Sequence, residues 1–170
     1  MNDPFSSFVI PFQTNEQVLP LDEVDLTIPW ETAIDNISTD VVEPFRSIRK
    51  VADLFPPQEI RLQPHHLTLL NFANGDGNWP LALQWMHRAG RRPTNPRQIF
   101  ALVRRYPNLA HSLGLERVAI AATETCEYDG RVQACAAWWH GDAQTVPLTR
   151  GVELEGIACF GRADCWFAFF

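Results

Sequence analysis

Residues 117–128 and 131–139 are two runs rich in Val, Ile, Thr, Ala and Trp that flank the pair Asp129-Gly130. A two-residue hairpin of type I′ needs positive φ at both central positions, and Asp-Gly is one of the few pairs that accept this at little cost, so the chain is expected to fold back here as two antiparallel strands. The turn also sets a register in which Cys126 lies opposite Gln133, making Cys126 and Cys135 diagonal neighbours on one face. Further strands are expected over about 144–149, 156–161 and 165–170. The last third of the chain therefore reads as an antiparallel β-meander.

The middle of the chain carries the helical period instead. Val41, Phe45, Ile48, Val51, Ala52 and Phe55 recur at spacings of three and four, Asp40 and Glu43 offer a capping box, and Pro56-Pro57 stop the element, giving a helix over about 41–55. Asn78 and Pro80 open a second helix over about 79–89 that Gly90 ends. Asn95, Pro96 and Gln98 open a third over about 96–113, with Ile99, Leu102, Val103 and Tyr106 as its apolar stripe and Pro107 as an internal boundary. Between these, 59–62 reads as a short strand and 65–73 as a helix. Helices followed by strands give the α+β class. With 170 residues, 46% of them hydrophobic and 20% charged, the chain is sized for one globular domain of about 150 residues and an appended segment.

Charge locates that segment. Residues 1–44 hold nine acids and no Lys or Arg, whereas the remainder holds fourteen bases and eleven acids, a net of +3. Within the acidic stretch Val24, Leu26, Ile28 and Trp30 alternate with Glu23, Asp25, Thr27 and Pro29, the period of an extended chain with one apolar face. Residues 1–40 are thus expected to form an extended acidic arm, and 41–170 a single α+β domain. Six arginines and no acid lie between Gly77 and Leu115, and Arg97, Ala101, Arg104 and Arg105 share one side of the third helix. Oppositely charged halves suit electrostatic recognition. The expected binding residues are Asp22, Glu23, Asp25 and Trp30 on the arm and Arg91, Arg92, Arg97, Arg104 and Arg105 on the body.

Catalytic and metal patterns are weaker. The four cysteines are separated by 8, 23 and 5 residues, not the close pairs by which one tight turn presents two thiolates to zinc. The stretch 74–78 has oxygen ligands at alternate positions, but Trp79 stands where a calcium loop needs glycine and Trp85 where it needs a bidentate acid. Cys135 with His140 and Asp142 could supply a nucleophile, a base and an orienting acid, an arrangement that only geometry can establish. No cofactor is expected. The chain start has no basic segment followed by an apolar run, and no stretch approaches the roughly 18 apolar residues of a membrane span, so a cytoplasmic protein with reduced thiols and no membrane partner is expected. The leading expectation is a non-enzymatic protein-protein interaction or adaptor protein. Nucleic-acid binding through the Arg-rich helix is one alternative, and a cysteine- or metal-dependent hydrolase using Cys135 and His140 is another.

Overall fold

The Asp129-Gly130 turn forms as its residues require, with φ of 54° and 68°, and it joins the two longest strands of the molecule. The computed structural model describes residues 13–38, 46–73, 75, 77–141 and 148–170. In chain order, the first half contains β1 (Thr14–Leu21), β2 (Val24–Asp25), α1 (Trp30–Asp35), α2 (Arg46–Arg49), β3 (Arg61–Leu62) and β4 (His65–Phe72). Next come α3 (Trp79–Arg88), α4 (Pro96–Arg105) and α5 (Leu109–Ser112). The last third contains β5 (Arg117–Tyr128), β6 (Arg131–His140), β7 (Thr149–Gly156), a 3-10 segment at Ile157–Gly161, and β8 (Cys165–Phe169).

Among the described residues, six strands form one sheet in the order β1-β4-β8-β5-β6-β7, and β2 pairs separately with β3. The fold is mixed α+β and dominated by this sheet. Strands β5, β6 and β7 are the expected meander, with Cys126 opposite Gln133. The chain then crosses one sheet face through the 3-10 segment and inserts β8 between β4 and β5, antiparallel to the first and parallel to the second. Alternation sends Trp139 to one face and Trp138 to the other. The first face carries Leu67, Leu69, Ile120, Cys135, Trp139 and Trp166 under α1, α2, α4 and α5. The second carries Leu70, Phe72, Ala121, Ala136 and Phe167 under α3 and Phe160.

Several elements differ from expectation for identifiable reasons. Residues 65–73 form β4 rather than a helix, because Leu67 and Leu69 are buried on one face and Leu70 and Phe72 on the other. A strand covered on both sides has a continuous apolar run that periodicity cannot tell from a helix. The strand expected at 144–149 begins at Thr149 and runs to Gly156, and the stretch expected as strand at 156–161 is the 3-10 crossing; residues 142–147 lie outside the described residues. Of the helix expected at 41–55, residues 41–45 lie outside the described residues, and the rest is α2 followed by a 3-10 turn at Ala52–Leu54, with Ile48, Val51 and Phe55 buried as the spacing implies. The 96–113 stretch, by contrast, divides into α4 and α5 where Pro107 is expected to interrupt it, at Tyr106 (φ −123°, ψ 72°), whose helical conformation the proline disfavours.

The largest difference concerns the acidic arm. Over residues 14–37 it is neither extended throughout nor set apart. β1 pairs along its whole length with β4, and Leu21, Val24, Leu26, Trp30, Ile34 and Ile37 are buried in the same cluster as the sheet. Apolar surface so placed drives folding at roughly 25 cal/mol per Å². Removing residues 1–40 is therefore expected to abolish the cooperative unfolding transition. A truncated protein that retains a sharp thermal melt would show that the remainder folds alone.

Candidate functional site

Helix α4 and the chain that leads into it organise the candidate site. Beyond Ala122 the pairing of β5 with β8 ends, and the segment before α4 takes the vacated place, with Arg92 and Phe170 exchanging backbone hydrogen bonds of 2.7 and 3.0 Å. Thr94 and Thr123 are both buried, and each hydroxyl donates to the Ala168 carbonyl, at 2.9 and 2.6 Å. This polar knot fixes where α4 starts. Asn95 then caps the helix: its side chain accepts from Arg97 N at 3.0 Å, and Gln98 Oε1 accepts from Asn95 N at 2.8 Å, the reciprocal pairing that satisfies otherwise orphaned N–H groups.

Arg97 is the residue whose location the charge pattern misplaces. It is only 2% exposed, so it does not belong to a solvated cationic face. Its Nε and Nη2 donate to the Ile28 carbonyl at 3.2 and 3.0 Å, and Nη2 also donates to the Phe55 carbonyl at 3.1 Å. The guanidinium lies 5.3 Å from the Trp30 ring. Burial pulls its pKa below the ordinary arginine value, against the opposing charge of Glu124. Trp30 is buried as well, stacked on Phe55 with centroids 5.0 Å apart and donating from Nε1 to the Ile48 carbonyl at 2.7 Å. Arg97 and Trp30 are thus interior groups that hold α1 and α4 together, with Arg97 also at the wall of a cavity beside α4.

The other charged residues divide into two places. Arg91 and Arg92 are exposed beside the chain terminus, with Arg92 4.5 Å from the Phe170 ring. Arg104 and Arg105 are exposed near the opposite end of a helix about 15 Å long. There they meet the acids. Arg105 pairs with Asp22 at 3.8 Å, while Arg61 pairs with Asp25 at 3.1 Å and Glu23 at 3.9 Å. Thr27 hydrogen bonds, with the Arg61 charge adding, hold the Asp25 carboxyl below its usual pKa. Between the β2 segment, α1 and α4 a cavity of about 210 Å³ opens, with Val24, Ile28, Ile37 and Phe100 among its walls and Glu23 and Arg104 among its polar residues. A second depression continues it along Asp22, Ala101 and Arg105. The result is an apolar-floored groove with charges of both signs on its rim.

Cys135 and His140 do not come together. They are an odd number of residues apart on β6, so they project from opposite faces of the sheet. Cys135 is buried beneath α4, where burial and the neighbouring Cys126 push its thiol well above the usual pKa, the reverse of what a nucleophile needs. Among the described residues, no three His, Cys, Asp or Glu side chains group as metal ligands do. The sequence reading missed a different cluster, Arg117, Trp138, Glu153, Arg162 and Asp164, which surrounds a cavity on the second face of the sheet. Its one local signal is the alternation of Glu153 and Glu155 with Val152 and Leu154. No protein-family model, no curated protein and no solved structure matches this chain.

The two arginines should respond very differently to substitution. Arg97→Met strands the Ile28 and Phe55 carbonyls and should cost about 2–4 kcal/mol, whereas Arg105→Gln loses an exposed pair and should stay within about 0.5 kcal/mol. Urea denaturation midpoints would reveal this. Alkylation by iodoacetamide should label the exposed Cys159 first and leave Cys135 and Cys165 protected until the protein unfolds; rapid labelling of native Cys135 on mass spectrometry would contradict its burial.

Proposed function

We propose that this chain is a non-enzymatic protein-binding module that receives a segment of another protein in the groove between α4 and the β1–β2 corner. The observation that carries this reading is the meeting of Asp22 and Glu23 with Arg104 and Arg105 around an apolar cavity floored by Ile28, Ile37 and Phe100. Protein interfaces have this anatomy, an apolar centre that takes an anchoring side chain and a polar rim that selects the partner. The rim pair Asp22–Arg105 is solvent-exposed and contributes little to stability, so a partner's charges can replace it at small cost. Rim charges of both signs speed encounter and set orientation more than they raise affinity.

Nucleic-acid binding has weaker support. Arg97 is interior, Arg91 and Arg92 lie apart from Arg104 and Arg105, and the carboxylates of Asp22 and Glu23 stand where phosphates would approach. Hydrolysis through Cys135 and His140 lacks a shared cleft.

Ala101 lines both depressions and is half-buried on the exposed side of α4. An Ala101→Trp variant should fill the groove and leave the melting temperature nearly unchanged. Wild-type bait is expected to capture a partner that the variant loses, and titration of that purified partner should reproduce the loss. Retention of the partner by the folded variant, or a steeply salt-dependent affinity for nucleic acid alone, would overturn the groove reading.

A further inference from the structure

Across the sheet from the groove, a cavity of about 150 Å³ opens where the chain passes from the 3-10 segment into β8. Charges of both signs line it. The Asp164 carboxylate accepts from Arg117 Nε at 2.7 Å and lies 3.4 Å from Arg162 Nε, so two guanidinium groups face one carboxylate and leave a net positive wall. Glu153 on β7 forms an acidic wall of the same cavity, within reach of the Arg162 charge, while Glu155, two residues on, lines a separate depression with Val132 and Cys159. Burial, and next the charge of Glu155, push the Glu153 carboxyl above its usual pKa, with Arg162 opposing.

The space between the walls is shaped by small residues. Ala119 on β5 is part of the lining, and the Trp138 indole lies directly against Gly151, where an added Cβ would come within 2.2 Å of the ring. A glycine there lets the indole lie flat against β7 as an apolar wall beside Glu153.

A simple cation would be opposed by Arg117 and Arg162, and a simple anion by Glu153. A dipolar ligand answers both walls, because each charge-assisted hydrogen bond is stronger than a neutral one. We infer that this cavity binds a small zwitterion of the α-amino acid type, its ammonium group against Glu153, its carboxylate against Arg117 and its carbon atoms against Trp138. This site is independent of the groove at α4, and either can fail without the other.

The test uses full-length protein with ¹⁵N-labelled tryptophan, the Trp138 indole resonance being assigned with Trp138→Phe. L-alanine is the probe, compared with its methyl ester, which lacks the carboxylate charge, and its N-acetyl derivative, which lacks the ammonium charge. Alanine should shift the Trp138 resonance in a saturable manner, and both blocked derivatives should bind at least about tenfold more weakly. Glu153→Gln and Arg117→Gln should each weaken alanine by a similar factor, while Arg104→Gln leaves it unchanged. Arg117 is mostly exposed, so its variant keeps the fold and remains informative if Glu153→Gln does not. No saturable shift at millimolar alanine, equal binding of either blocked derivative, or unchanged affinity in both variants would overturn the assignment.

Discussion

The Arg97 guanidinium ties the chain before α1 and the end of the α2 segment to helix α4, alongside the pairing of β1 with β4. Arg97, on the first turn of α4, reaches the Ile28 carbonyl just before α1 and the Phe55 carbonyl beyond α2, and rests against Trp30. A buried charge is costly to desolvate, and here hydrogen bonds from Nε and Nη2 and an aromatic face replace part of the lost water, while Nη1 is buried without a hydrogen-bond partner among the described residues. Arginine suits this place because its planar fork donates in several directions at once and is weakly hydrated. Three chain segments distant in sequence are thereby fixed around one helix.

The far end of α4 is secured by other means. Trp139 Nε1 donates to the Tyr106 carbonyl at 2.8 Å, Arg150 Nη1 donates to the Val103 carbonyl at 3.0 Å, and the Tyr106 hydroxyl donates to the Pro20 carbonyl at 2.6 Å. The first two bonds satisfy carbonyls that a helix C-terminus leaves unpaired. They also bring β1, β6 and β7 to the same helix. Since both ends of α4 are fastened, the groove along its outer side has a rigid wall, while Asp22 and Arg105 form an exposed ion pair on its rim. Rigid walls with adaptable rims lower the ordering cost of association.

The sheet serves two unlike surfaces because its central strands are thin on one side. Ala119, Ala121, Ala134 and Ala136 occupy the second face, where Phe160 and Phe167 pack close, whereas the first face carries the bulk of Ile120, Trp139 and Trp166. Small residues draw the 3-10 crossing down onto the strands and bring Arg162 and Asp164 beside Trp138 and Glu153. The groove and the charged cavity therefore lie on opposite faces of one layer.

By itself the sequence determined what depends on neighbouring residues. The Asp129-Gly130 turn, the caps at Asn78 and Asn95, the break at Pro107 and the opposite facing of Trp138 and Trp139 all follow from local backbone preference or from the period of two. Tertiary structure alone decided the rest. β8 enters between β4 and β5 although about forty residues separate it from β5 in the chain, and β4 is a strand because both of its faces found cover. Arg97 and Trp30, expected among the binding residues, lie in the interior because the Ile28, Ile48 and Phe55 carbonyls arrive there together. Strand order and the burial of a charge depend on contacts between distant segments, and no spacing within a single segment records them.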